Sequence, residues 1–364
     1  MNFCWGMTVT DIGRCRLANQ LIASSAYRRP EQVVAALGAL QAQDYAGALW
    51  SIGLRLPDAT ETVVEKAIAE RKIVRTWLMR GTLHFVAAAD VRWMLELLTP
   101  RIIAGSAARA RNLELDAAVF ARCEKLFVRA LQGGRQLPRE EMMELLENHK
   151  ISTAKMRGYH ILWRLAQEGL ITFAARAGRS QTFALLDEWI APAKKLDRAV
   201  ALAELARRYF TSHGPALPAD FAGWSGLRSA DARAGVEAAS FALRRERIGN
   251  ADFWMPADAA ALEAGMTEAQ LLPGFDEYLL GYKDRSAVLE ARHVKKIVPG
   301  SNGVFSPTLI LQGRVAGTWK RTLNKKTFII AVSSFKPLKQ AEKRAVAAAA
   351  DRYGQFLGLP VEVN

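Results

Sequence analysis

Residues 137–186 read LPREEMMELLENHKISTAKMRGYHILWRLAQEGLITFAARAGRSQTFALL, and the spacing of their apolar positions changes along the stretch. LPREEMMELL predicts a helix opened by Pro138, whose missing amide suits a first helical turn. MRGYHILWRLAQEGLITFA predicts a second helix that ends at Gly169 and passes into a strand. RAGRSQTFAL then supplies a glycine-containing turn and a returning strand. Helix, helix and β-wing is the order of a winged helix. On this reading Leu162, Leu165 and Leu170 face the core, while Arg157, Arg164, Arg176 and Arg179 flank a groove open to DNA. A module of this kind serves protein contacts as readily as DNA contacts.

Looser versions of the same rhythm lie on both sides. Upstream, TDIGRCRLANQLI predicts a helix after a Thr or Asp cap, EQVVAALGAL a second after Pro30, and ATETVVEKAIAERKIV a third. TWLMRGTLHFV follows as a strand with a turn at Arg80-Gly81, and VRWMLELL as a helix stopping near Thr99-Pro100. Downstream, IAPAKKLDRA reads as a linker. RAVALAELARRYFTSHGPALPADFAGWSGLRSADARAGVEAA then holds three helical pieces.

The last segment changes character: FDEYLLGYKDRSAVL, VFSPTLILQGRVAGTWKR and TFIIAVSSF read as β-rich, alternating pieces, with a hairpin signal at Gln312-Gly313 and a closing helix LKQAEKRAVAAAADRYGQFL. Phe305, Leu309, Val315 and Trp319 would pack inward. The expected fold is α+β: three tandem winged-helix modules (8–130 with a helical extension, 131–190, 197–257) and a β-barrel-like C-terminal domain (265–364).

With 364 residues the chain can bury several cores. Its formal net charge of +14 favours a polyanionic partner, and its distribution is uneven. Between Lys283 and Arg344 there are 14 Lys and Arg against 3 acids. Lys320, Arg321, Lys325 and Lys326 fall at or beyond a strand end, suited to phosphates. No run is apolar enough for a bilayer, and MNFCWGM lacks the form of a signal peptide. Cys4, Cys15 and Cys123 are too few and too scattered for a disulfide framework or a structural zinc, which points to a reducing, cytoplasmic compartment. No G-x-G-x-x-G follows a strand and no phosphate-loop motif occurs, so a nucleotide cofactor is not expected.

ALQAQDYAGALW, residues 39–50, sets two long amides beside an acid in an apolar run. On a helix Gln41 and Gln43 would lie about 200° apart. On extended backbone they share a face and can hold a water or a sugar between them. The same pair would serve equally to cap a turn. Asp44 then points elsewhere and suits a helix cap. Arg80, Thr82 and His84 alternate on their predicted strand as supporting candidates, and Asp276 and Glu277 suit structural ion pairing, with Glu277 a further supporting candidate. His149, His160, His213 and His293 lack metal spacing, and no metal is expected.

LQAQDYAGALWSIGLRLP, TWLMRGTLHFV, HGPALPADFAGWSGL, LLPGFDEYLLGYKDRS and VFSPTLILQGRVAGTWKR together resemble the tandem winged-helix DNA glycosylases of the AlkZ/YcaQ type, over nearly the whole chain. The resemblance implies a C-shaped, positively charged channel. It also implies a Gln-x-Gln motif, here Gln41 and Gln43, that serves excision of alkylated purines. The expected function is thus a monofunctional DNA N-glycosylase acting on N7- or N3-alkylated purines in duplex DNA, with bulky adducts and interstrand crosslinks within the same scope. The expected protein is a nucleoid-associated monomer without cofactor or membrane contact. The competing class is a non-enzymatic winged-helix DNA-binding protein or transcriptional regulator.

Overall fold

The computed structural model describes residues 7–178, 180–193, 195–258, 269–300 and 303–364. Pro138 caps the helix Arg139–Asn148, and Glu140 and Glu141 in its first turn complement the positive end of the helix dipole. The helix Arg157–Gln167 buries Ile161, Leu162, Leu165 and Ala166. Gly169, at φ 81°, turns the chain into the strand Ile171–Phe173. That strand pairs antiparallel with Thr182–Leu185, which also pairs with Leu137–Pro138. The expected helix, helix and wing are present. Their core extends further than the sequence pattern suggested, because Cys123, Phe127 and Leu131 of the helix Ala117–Leu131 share it with Leu146, Leu162 and Phe183. The module therefore begins with that helix, upstream of the boundary expected at residues 130/131. Leu170 packs half-buried at the margin of the core.

The chain divides into two compact units. Residues 65–201 form one continuously, and residues up to 64 form the other together with 202–364. The module expected over 8–130 is thus split after Val64. In the continuous unit the strands run in the order Leu83–Ala87, Ile73–Trp77, Ile171–Phe173, Thr182–Leu185, Leu137–Pro138, each pair antiparallel. The helix Val91–Gly105 does not stop at Thr99-Pro100 but runs through it. Proline removes one amide donor there, while Thr99 Oγ1 lies 2.8 Å from both the Leu95 and the Gln167 carbonyl oxygens.

The discontinuous unit opens with the helices Val9–Asn19 and Pro30–Leu37, the two-residue strand Leu40–Gln41 and the helix Tyr45–Gly53. Later come the helix Arg198–His213, which belongs to this unit from Leu202 onward, then Pro218–Ser225, Ser229–Ala238 and the hairpin Leu243–Ile248/Ala251–Pro256. An isolated bridge joins Ala216 to Trp254, so the helix, strand, helix, helix, hairpin order recurs.

Its C-terminal sheet runs Val361–Val363, Thr327–Ser334, Arg314–Asn324, Thr308–Leu311, Ala269–Leu272. Among the described residues each outer strand has one neighbour, and the sheet is a curled half-barrel. Gln312 and Gly313, at φ 51° and 76°, make the two-residue turn, and positive φ at both positions is what such hairpins demand. Phe305, Leu309, Val315 and Trp319 are buried as expected. Trp319 meets Tyr353 of the helix Gln340–Leu357 edge-on, with ring centroids 5.3 Å apart. No helix among the described residues is long and apolar enough to cross a membrane.

Candidate active site

Gln41 closes the short extended segment, and the chain bends at Gln43 before Asp44 caps the next helix. The Asp44 carboxylate accepts the Gly47 amide at 3.2 Å, which is the capping role. A side chain at position 47 would meet that carboxylate at 2.4 Å, so only glycine leaves it room. The two glutamines converge. Gln41 Oε1 accepts the Gln43 amide at 2.9 Å, and Gln41 Nε2 donates to Gln43 Oε1. Because Oε1 faces an amide N–H, the orientation of the Gln41 carboxamide is fixed, and that in turn fixes Gln43. Gln41 is buried and Gln43 exposed. Gln43 therefore presents its NH2 and the second lone pair of its carbonyl outside the internal pair: an acceptor for a water proton beside donors for an oxygen-rich ligand.

Behind the pair lies the segment from Asp276 to Tyr282, whose polar side chains reach different elements of the unit. Asp276 caps the short helix Glu277–Leu280 and forms a bidentate ion pair with Arg55, both bonds 2.9 Å and both groups buried. Burial by itself would raise the Asp276 carboxyl. The Arg55 guanidinium, Ser51 Oγ and the Tyr278 amide outweigh it and hold the group below the ordinary carboxylate range. The ion-pair expectation describes Asp276 well. Glu277 is engaged differently: its carboxylate accepts the Gln41 amide at 3.1 Å and the Trp224 indole N–H at 2.8 Å, with His213 Nε2 at 3.4 Å. The Tyr278 hydroxyl donates to the Gly313 carbonyl at 2.6 Å, and that of Tyr282 to the His213 carbonyl at 2.6 Å. Sequence reasoning weighed His213 only as a metal ligand and passed over Trp224. Their signal was the HGPALPADFAGWSGL stretch, where His213 and Trp224 stand 11 apart on either side of a glycine-proline bend.

The other candidates separate. Arg80, Thr82 and His84 do not make one strand row, because Arg80 sits in the turn Met79–Gly81 with φ 54° and only His84 is on the strand Leu83–Ala87. His84 is buried, its Nδ1–H donating to the Thr82 carbonyl at 2.9 Å. Arg157 is committed to carbonyls, donating to Ser152 at 2.9 Å, Glu114 at 3.1 Å and Leu113. Arg164 bonds Glu168 at 2.6 Å, and Arg176 pairs with Glu65 at 3.4 Å. Arg179 lies outside the described residues. Lys320 is exposed on the strand Arg314–Asn324, and Lys325 and Lys326 form the exposed tip of the next turn. Arg321 does not join them. It follows Trp319 on the opposite face of the strand from Lys320 and donates to the Tyr353 hydroxyl, because alternate residues of a strand face opposite ways.

Among the described residues no three His, Cys, Asp or Glu side chains cluster as metal ligands. Burial raises the Cys15 and Cys123 thiols to about 11, which suppresses the thiolate.

The convergent amide pair, the buried polar network behind it and the exposed lysines of the hairpin all belong to one unit. The chain belongs to the AlkZ-like DNA glycosylase family, whose pattern matches residues 34–356. It is similar to the interstrand DNA cross-link repair glycosylase of Streptomyces sahachiroi, 24% identical over 390 aligned positions that span 96% of this chain and 97% of that protein. The solved structure of Streptomyces sahachiroi DNA glycosylase AlkZ shares its fold, with TM-score 0.80, 21% identity and coverage of 99% of this chain and all of the other.

Proposed function

We propose that this protein is a monofunctional DNA glycosylase that hydrolyses the N-glycosidic bond of an N7- or N3-alkylated purine in duplex DNA and leaves an abasic site. The observation that carries this reading is the reciprocal Gln41–Gln43 pair, with one carboxamide locked and the other exposed. An alkylated purine is cationic and already a good leaving group, so no strong general acid is needed. What remains is to hold the duplex, place water at C1′ and tolerate oxocarbenium-like charge, which are tasks of position and electrostatics. Gln43 Oε1 accepts a hydrogen bond from that water and so turns the water's lone pair toward C1′, the water proton passing to solvent as the C1′–O bond forms and the purine leaves. Gln41 holds Gln43. The stretch contains no amine nucleophile, which favours hydrolysis over lyase chemistry. Asp44 belongs to the helix cap, not to the chemistry. Three winged helices, the second starting with Ala117–Leu131, bind duplex DNA, and Lys320, Lys325 and Lys326 take phosphates. The protein acts as a monomer on the nucleoid with neither metal nor nucleotide.

The test is single-turnover release of free base from duplexes carrying N7-methylguanine, N3-methyladenine, a bulky N7 adduct or an interstrand crosslink, the lesion named for the Streptomyces relative. Gln43→Ala should slow release by about 10²–10³ with binding largely retained. Binding without release from any of these duplexes would favour the regulator. Undiminished release by a folded Gln41/Gln43 double-alanine variant would acquit the pair.

A further inference from the structure

We propose that Glu277 is a positioning residue for the Gln41–Gln43 pair, its carboxylate fixing the Gln41 main chain from the buried side while Trp224 and His213 hold the carboxylate. This rests on the reading of the pair as the group that places water. Glu277 is 1% exposed, and Oε1 takes the Gln41 amide at 3.1 Å while Oε2 takes the Trp224 indole at 2.8 Å. Hydrogen bonds to an ionised acceptor are stronger and more directional than those between neutral groups. A carboxylate gripping both a motif amide and an indole therefore defines the position of residue 41 more tightly than packing alone would.

The grip on Glu277 is itself rigid. The His213 ring stacks on Tyr209 with centroids 4.6 Å apart, and its Nδ1 lies 2.8 Å from Ser212 Oγ. Gly281 leaves the ring its space, since a Cβ there would stand 2.5 Å from His213 Cδ2. Trp224 closes the other side, 5.4 Å from His213 and 5.0 Å from Tyr209. Their influence passes through Gln41, whose carboxamide both accepts the Gln43 amide and donates to its side-chain oxygen. A shift of Gln41 is thus transmitted whole to the outward carboxamide.

The adjacent acid sharpens the assignment. Asp276 neutralises a buried arginine, a structural task, whereas Glu277 directs its carboxylate to a motif amide 236 residues away. Burying a carboxylate is costly, and a packed apolar side chain would fill the same volume without that penalty. Retaining it is explained by the geometry it imposes.

The experiment compares Glu277→Ala, Glu277→Gln and Trp224→Phe in the full chain by three readouts: single-turnover base release at saturating enzyme, affinity for undamaged duplex, and amide hydrogen exchange at Gln41–Gln43. Glu277→Ala should slow release by about 10-fold to 10², the scale of a misplaced reacting group, with affinity unchanged within about twofold. Exchange at the Gln41 amide should quicken by at least about tenfold as its acceptor disappears. Glu277→Gln keeps a carbonyl for that amide but sets its NH2 against the Trp224 indole N–H, and should recover part of both losses. Trp224→Phe keeps an aromatic ring but frees Oε2, and should give a smaller rate loss of about threefold. It serves as the decisive variant if Glu277→Ala does not fold. Release and exchange both unchanged in a folded variant would overturn the proposal, as would a glutamine variant no better than alanine. If wild-type protein releases no base from any substrate, the glycosylase reading fails, while the exchange comparison still decides whether Glu277 holds Gln41.

Discussion

The helix-hairpin module of residues 117–185 and the cluster around residues 276–282 are both well buried, but they are assembled from different materials. In the module, the apolar faces of three helices and a wing meet partners a few dozen residues away, and the core is almost wholly aliphatic and aromatic. In the cluster, Asp276 reaches back 221 residues to Arg55, Glu277 236 to Gln41 and Tyr278 265 to Gly13, all through polar atoms. A core of the first kind tolerates substitutions of similar volume. One of the second kind depends on each donor finding its acceptor, since a buried unpaired group costs far more than a well-made bond gains.

The largest effect should come from taking one partner out of the cluster. Arg55→Ala leaves the Asp276 carboxylate buried without its cation and should cost about 3–5 kcal/mol. Leu162→Ala in the module should cost a similar ~2–5 kcal/mol by opening a cavity. Hydrogen exchange separates the two. Arg55→Ala should lose protection in residues 9–53 and 269–282 and spare 117–185, and Leu162→Ala should do the reverse. Equal loss everywhere in either variant would break the comparison.

The next effect is on acid stability. Arg55 and its companions depress the folded-state pKa of Asp276, so its contribution is complete above the ordinary aspartate value of about 3.9 and is lost as pH falls through the lower folded value. Acid unfolding followed by exchange should thus begin, below about pH 4, in the cluster before the module. Asp276→Asn should flatten that limb of the profile and leave a less stable protein at neutral pH. An unaltered acid limb in this variant would remove the ion pair from the account.

The smallest effect on stability should come from the exposed cations. Neutralising Lys320, Lys325 and Lys326 should shift unfolding by less than about 0.5 kcal/mol. The salt slope of DNA binding should fall by about 0.9 for each phosphate that these lysines no longer neutralise. Arg157→Ala should behave oppositely, costing about 1–3 kcal/mol through its orphaned carbonyls with little change in slope. Melting curves and salt titrations on the same variants check both, and an unchanged slope in the lysine variant would take the hairpin out of the DNA interface.

This contrast also governs what could be read in advance. Periodicity and turn chemistry are local, so the 138–186 module and the Gln312-Gly313 hairpin were legible, and so was the extended spacing that lets Gln41 meet Gln43. Pro100 was misleading because a proline inside a helix removes only one bond, which packing readily offsets. The arginines are harder to read. Charge is visible in a sequence, but whether a guanidinium faces solvent or is bound to a neighbour's carbonyl depends on what folding brings beside it. The HGPALPADFAGWSGL stretch marks out His213 and Trp224 but not their roles, since each is defined by a carboxylate more than fifty residues further on.

The 236-residue span between Gln41 and Glu277 has a consequence for biosynthesis. At the usual elongation rate of ~5–20 residues per second, the glutamines leave the ribosome roughly ten to fifty seconds before the acid that seats them. Through that interval the nascent chain carries the pair without the carboxylate that takes the Gln41 amide. On the proposed chemistry, full seating of the pair arrives only with the segment around residue 277, when most of the protein has been made, so that an interrupted translation product carries the glutamines without the acid that positions them.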